Sequence, residues 1–402
     1  MEDKYIDLLL QKCTDFKNSN ILFIHYSTEV KSFIEKLIEK AKDLGFKDFY
    51  LDEENIYDTH EILANSTIEE IKNHSYFDES IWDEYAKKNA CFLIFETEYP
   101  HLMDDMSSEK ISISSRKKRE SRPIYRKMVE NCELSWCIAA YPGEQWAKEV
   151  FKDEENAYQK LEQTIYQICM INQDNPIESW EKHLNKTGKM IDTLNKLQLT
   201  KLHYENRLGT NLDVYLPEDY LFASAKDGSV IVNMPSYEVF ASPIYNKTEG
   251  IVYSSMPLIY NGAIIDKFWL KFEDGKVIDF DAKVGKDVLK EIIEIDDNSC
   301  YLGECALVEK SSPIASMNMV FGTTLIDENA SCHLALGAGF PECIKDGLGI
   351  EEKELLEKGI NVSKGHVDFM IGTADLNITG TTINGEEIFI FKDGNFNSEL
   401  IK

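Results

Sequence analysis

The chain has 402 residues, 43% of them apolar, with 71 acidic against 43 basic side chains and a formal charge of −28. That length exceeds what one hydrophobic core fills and suits two or three domains. The acidity excludes a nucleic-acid backbone as a natural partner, since binding one needs a concentrated positive footprint; a cationic ligand such as a peptide's free amino terminus meets no such barrier, and solubility alone also accounts for the charge.

The opening MEDKYIDLLLQKC predicts a helix at about 3–13, and with no basic segment leading into an apolar one it is not expected to be a signal peptide. The strand ILFIHY (21–26) follows, then a helix over 27–44 that stops on glycine, a strand at 46–52, a helix at 81–90 and a strand at 90–98. A charged helix near 115–130 leads to the strand LSWCIAAYP (134–142), and QWAKEVF and NAYQKLEQTIYQICM read as helices. This alternation predicts an α/β domain with a largely parallel sheet over residues 1–175. The S-T-E-V loop after the first strand lacks the glycines that a dinucleotide site needs. The basic run Arg116 to Arg119, with Arg122, Arg126 and Lys127, reads as a solvated helix face, with a phosphate patch as the other reading.

A helix over 176–198 links this domain to a second one at 199–402, where short strands dominate: TKLHYE, LDVYLP, SVIVNMP and GIVYSSM. FWLKFEDGKVIDFDA carries an Asp-Gly turn between alternating apolar residues, a hairpin signal. VGKDVLKEIIEI interrupts as a helix, and HVDFMIG, LNITGT and EEIFIF close the chain with Asn-Gly and Asp-Gly turns. The second domain is therefore α+β and mostly antiparallel. No apolar run approaches the ~18 residues that span a bilayer, so no membrane partner is expected. The nine cysteines include no Cys-x-x-Cys pair, which excludes a zinc ribbon; free thiols in a reducing cytoplasm are the simplest account.

Chemistry concentrates in the second domain. His366 and Asp368 in H-V-D share one face of a strand, a pairing that suits a divalent metal but is equally common as a solvent-facing pair. His333 follows D-E-N-A-S, where Asp327 or Asn329 could cap a helix whose first turn holds it; a hydrogen-bonded core histidine is the other reading. Glu304 and Glu238 stand where buried strands begin, and burying either as an ion costs several kcal/mol unless it is paired or bound to metal. Five such ligands, one shared, would give each of two ions about three protein ligands. Asp327, Glu328, Glu309 and Asp375 are alternatives that spacing leaves open.

MPSYEVFASP, YLGECALVEKSSPI, LIDENASCHLALGAGF and HVDFMIGTADLNITG resemble, in order, the signatures of the M29 family of metallo-aminopeptidases, the aminopeptidase T and AmpS group. The resemblance implies metal ligands at Glu238, Glu304, His333, His366 and Asp368, with Glu304 bridging the ions or serving the nucleophilic water. It implies two divalent ions, zinc first, with cobalt or magnesium as alternatives. The implied substrates are peptides with a free N-terminus, and the implied assembly is a homodimer around an enclosed cavity. One departure stands out: Phe340 occupies the position of the family's tyrosine, whose hydroxyl could donate to a developing oxyanion. F-G-T-T-L-I also replaces the family's F-Y-N-T-L-F, so Gly322 and Thr323 shape the pocket differently. Three readings follow: an active aminopeptidase, a non-catalytic metal- or peptide-binding relative lacking the tyrosine, and a hydrolase of another amide.

Overall fold

The computed structural model describes residues 1–228, 230–260 and 263–401. The chain divides into two compact units, Met1–Trp180 with Lys226–Pro235, and Glu181–Ala225 with Ser236–Lys402.

The first unit is built on a five-stranded parallel sheet in the order Asp48–Glu54, Ile21–Ser27, Cys91–Glu96, Trp136–Ala140 and Asn233–Met234. Strands such as Cys91–Glu96, buried along most of their length, are near-continuous apolar runs because helices cover both faces of a parallel sheet. The last strand comes from the segment SVIVNMP, which reads in sequence as part of the second half; Ile138 and Ala139 pair with Asn233 and Met234. The charged helix expected near 115–130 is two helices, Ser108–Glu120 and Pro123–Glu130. Pro123 has no N–H to continue the first helix but fits the first turn of the second. Part of the basic run is absorbed locally. Lys118 pairs with Glu54 at 2.7 Å, while Arg122 pairs with Glu79 at 3.0 Å and lies over the Trp82 ring.

The second unit carries a nine-stranded antiparallel sheet that includes the expected hairpin, Ala263–Glu273 with Lys276–Val284, turning at Asp274 and Gly275. A separate four-stranded antiparallel sheet runs Val239–Ala241, Leu302–Leu307, His333–Gly337 and His366–Met370. One face of this smaller sheet is apolar: Val239, Ala241, Cys305, Leu307, Leu334, Leu336, Val367 and Phe369 all join the main core of the unit. The period of two then sends the intervening residues to the other face, where the candidate ligands stand.

Candidate metal centre

Cross-strand pairing assembles the second face residue by residue. Ala306 faces His333, Glu304 faces Ala335, Ala335 faces Asp368, and Gly337 faces His366. Glu238 lies one residue before its strand, two before Phe240, which pairs with Ala306. The small side chains of Ala306 and Ala335 leave the centre of the face open among ionisable ones.

Glu304 reaches this face only through an irregularity. Leu302 pairs with Leu336 and Glu304 with Ala335, so the Leu302–Leu307 strand carries one extra residue, Gly303, at that point. In a regular strand Leu302 and Glu304 would share a face; the bulge leaves Leu302 in the core and turns Glu304 to the ligand face. Glycine is required there because a Cβ at Gly303 would lie 2.0 Å from the Ala338 carbonyl oxygen.

The side chains form two three-residue groups that share Glu304: Glu238, Glu304 and His333, and Glu304, His366 and Asp368. Within each group the possible ligand atoms lie within 4.8 Å of one another. His333 Nε2 is 3.2 Å from Glu238 Oε2, and His366 Nε2 is 3.2 Å from both Glu304 Oε2 and Asp368 Oδ1. Each histidine is oriented from its other nitrogen. His333 Nδ1 sits 3.1 Å from the Ser331 carbonyl and His366 Nδ1 2.8 Å from the Ala338 carbonyl. Donation from Nδ1 to a carbonyl turns Nε2 toward the cluster, the arrangement that metal-ligating histidines use.

His333 is not in the first turn of a helix, where its spacing from Asp327 and Asn329 suggests it. The helical turns Thr324–Asp327 and Glu328–Ala330 end before it, Ser331 is extended at φ −162° and ψ 154°, and His333 opens a strand. The alternation in His-Leu-Ala-Leu prevails over the capping signal because Leu334 and Leu336 find a core.

Of the alternative acids, Glu309 pairs with Lys186, and Asp375 accepts from Thr373 Oγ1 at 2.7 Å and from the Arg207 N–H at 3.1 Å. Asp327 accepts from the N–H groups of Phe321 and Gly322, both at 2.7 Å, so it shapes the loop before it. Glu328 behaves differently. It is buried, and burial together with the carboxylates of Glu238 and Asp368 raises its carboxyl well above the usual range. In the sequence it is one of four possible acids, with only its place in a buried D-E-N turn to distinguish it. The neighbouring Asn329 secures that turn, accepting from the Tyr237 N–H at 2.6 Å and so tying it to the segment that holds Glu238.

Four carboxylates therefore crowd one buried face, and among the described residues none is paired with a lysine or arginine. Burial raises Glu304 to about 7. Burial would lower both histidines, but the carboxylates outweigh it: Glu238, Glu304 and Asp368 raise His333 to about 10, and Asp368 and Glu304 raise His366 well above its ordinary value. Burial would raise Asp368, yet His366 holds it down at about 2. A buried oxygen- and imidazole-rich set with this excess of negative charge fits divalent cations.

Phe340 closes one side of the cluster. Its ring centroid is 4.9 Å from that of His366 and 5.0 Å from that of Phe240. Cys332, beside His333, points into the core with its sulfur 3.3 Å from the Val308 carbonyl and is a packing residue.

Comparison with known proteins agrees with this chemistry. The family model described as thermophilic metalloprotease (M29) matches residues 2–396. Aminopeptidase AmpS of Bacillus subtilis (strain 168) is 34% identical over 98% of this chain and 97% of its own length. Aminopeptidase 2 of Geobacillus stearothermophilus is 34% identical over 99% of this chain and 98% of its own. Among solved structures, wild-type AmpT from Thermus thermophilus superposes with a TM-score of 0.89 at 26% identity, covering 98% of both chains. The chain belongs to the M29 metalloprotease family.

Proposed function

We propose that this M29 metallo-aminopeptidase holds two divalent cations, zinc or cobalt, and removes the N-terminal residue from peptides with a free amino terminus. The observation that carries the two-ion reading is Glu304, the one side chain common to both ligand groups. Glu238 and His333 would hold one ion and His366 and Asp368 the other, with Glu304 between them. Two divalent charges would balance the four carboxylates. Bound there, such ions supply Lewis-acid polarisation of the scissile carbonyl and a water of lowered pKa.

The chain's own groups supply orientation and proton transfer. The Ser331 and Ala338 carbonyls fix the two imidazoles, so neither ring must reorganise when its ligand arrives. Glu328 stands outside both three-residue groups on the same buried face, a place from which a carboxylate takes a proton from water and returns it to the leaving amine. The acidic cluster also favours the positive amino terminus of a substrate.

A cytoplasmic site of action is supported by the nine cysteines, all of them free thiols. No described helix is long and apolar enough to cross a membrane. The homodimer rests on the family resemblance. Phe340, which offers no hydroxyl, supports a second reading as a metal- and peptide-binding relative without turnover.

The test is elemental analysis of the purified protein with a panel of free and N-terminally blocked peptides. Two metal equivalents and release of amino acids from the unblocked peptides alone are expected, and His333→Ala should lose both. Turnover unchanged in His333→Ala refutes the assignment; metal without turnover supports the second reading.

A further inference from the structure

The backbone that orients His366 lies between two glycines. Ala338, whose carbonyl oxygen sits 2.8 Å from His366 Nδ1, is flanked by Gly337, at φ +106°, and by Gly339. Glycine leaves the chain its widest conformational freedom, and the alanine side chain has no polar atom with which to hold the loop. The direction of the Ala338 carbonyl must therefore be imposed from outside the segment.

Two successive peptide groups are held at both ends. In the first, the Ala338 N–H donates to the Gly365 carbonyl at 2.7 Å, and the Gly337 carbonyl accepts from Asn361 Nδ2 at 2.6 Å. In the second, the Gly339 N–H donates to the Asn361 carbonyl at 2.8 Å, and the Ala338 carbonyl faces His366. A trans peptide group is planar, with its N–H and C=O pointing opposite ways, so holding the Gly339 N–H aims the Ala338 carbonyl. Asn361 holds one end of each group. It is buried, and its Nδ2 also donates to the Asn298 carbonyl at 2.9 Å, while Asn298 Nδ2 donates to the Val362 carbonyl at 2.8 Å. Only the NH2 end of an amide can face two carbonyl oxygens, which fixes the orientation of this side chain.

We propose that Asn361 is a positioning residue for one half of the metal centre: by aiming the Ala338 carbonyl it holds a hydrogen on His366 Nδ1 and leaves Nε2 for the ion that Glu304 and Asp368 would share. The inference rests on the two-ion reading above and deepens it. A carbonyl oxygen only accepts, so the imidazole beside it carries its hydrogen on Nδ1, and Nε2 keeps the lone pair that a cation needs. His333 is oriented by the Ser331 carbonyl, at the other end of the strand His333–Gly337, and none of these bonds of Asn361 involves Ser331. The two ion positions are therefore oriented separately, although they share Glu304.

The test uses the full chain, stripped of metal and titrated calorimetrically with zinc. The parent is compared with the near-isosteric Asn361→Leu, which has no donor, and with Asn361→Ala, which leaves room for water to serve the two carbonyls. The parent should bind two zinc equivalents; in the variants one equivalent should weaken about 10-fold while the other keeps its parent affinity. A second readout needs no metal. In NMR of histidine-labelled protein, the His366 Nδ1 proton, protected in the parent by its bond to Ala338, should exchange faster with solvent in the variants, and that of His333 should not. No weakening, or equal weakening of both equivalents, would overturn the proposal and leave Asn361 a structural residue, as would an unchanged His366 signal or failure of both variants to fold. A parent that binds fewer than two zinc ions would count against the two-ion reading instead, and the His366 proton would still decide the role of Asn361.

Discussion

Replacing Gly303 by alanine tests the link between a backbone irregularity and the metal site. The added Cβ would stand 2.0 Å from the Ala338 carbonyl oxygen and 2.4 Å from both the Ala338 carbonyl carbon and the Gly337 oxygen, where real contacts essentially never fall under 3.0 Å. Every clashing atom is backbone, so no rotamer change relieves it, and the two strands must separate at the bulge. Overpacking costs about 1–3 kcal/mol, and the rigid neighbours put this case at about 3 kcal/mol, a large part of a typical total of about 5–15 kcal/mol. The functional effect should be larger than the stability effect, because Glu304 follows directly and serves both ligand groups. Urea denaturation of the metal-free protein and elemental analysis after reconstitution measure the two consequences. The expected outcome is destabilisation with loss of metal from both positions. Gly188→Ala is the control: nothing lies within 4 Å of its Cβ, it sits inside the helix Pro176–Lys196, and it should gain up to about 1 kcal/mol. A Gly303→Ala protein within about 0.5 kcal/mol of the parent, with its full metal content, would refute the reasoning.

Phe340→Tyr restores a hydroxyl beside His366, and if an oxyanion donor is missing there kcat should rise about 10²- to 10³-fold; steady-state kinetics showing no gain would sink the missing-donor argument. Glu328→Gln removes one of four crowded carboxylates, so the metal-free protein should become about 1 kcal/mol more stable while metal affinity falls; urea melts and metal titration should therefore move in opposite senses, and a shift of both in one direction contradicts the charge-crowding account. His25 lies between Asp52 at 2.9 Å and Glu54 at 3.5 Å. Burial would lower its pKa, but those hydrogen bonds raise it from 6.5 to about 9. Its stabilising contribution is complete below the unfolded value and is lost as pH rises through about 9. The stability gap between the parent and His25→Gln should therefore narrow from pH 6 to pH 10, and a gap that widened would reverse the assignment.

The repeating elements are legible in the sequence because their signals are local. The apolar runs ILFIHY and CFLIFE read directly as buried parallel strands, and the Asp-Gly turn marks its hairpin. The H-V-D spacing places His366 and Asp368 on one face, where they lie 3.2 Å apart. The elements that do not read correctly depend on distant partners. His333 looks like a helical residue until Leu334 and Leu336 have a core to enter. Asn233–Met234 is a two-residue strand whose partner lies almost a hundred positions earlier, and nothing in its composition names that partner. The orientation of both histidines comes from backbone carbonyls, which every residue has, so no side-chain pattern could reveal it.

Gly303 lies between these extremes and shows how the site depends on the fold. A period-two reading of L-G-E-C-A-L puts Leu302 and Glu304 on the same face, which would bury the shared carboxylate in the leucine-rich core. Burying that carboxylate unpaired would be prohibitive, and an extra residue between the two side chains resolves the conflict. The glycine allows that residue because the neighbouring strand passes at backbone contact distance. The irregularity then converts a core position into a ligand position without disturbing Cys305 or Leu307, which remain in the core. A single inserted residue thus lets one strand serve both faces, and the carboxylate that it redirects is the one that both ligand groups share.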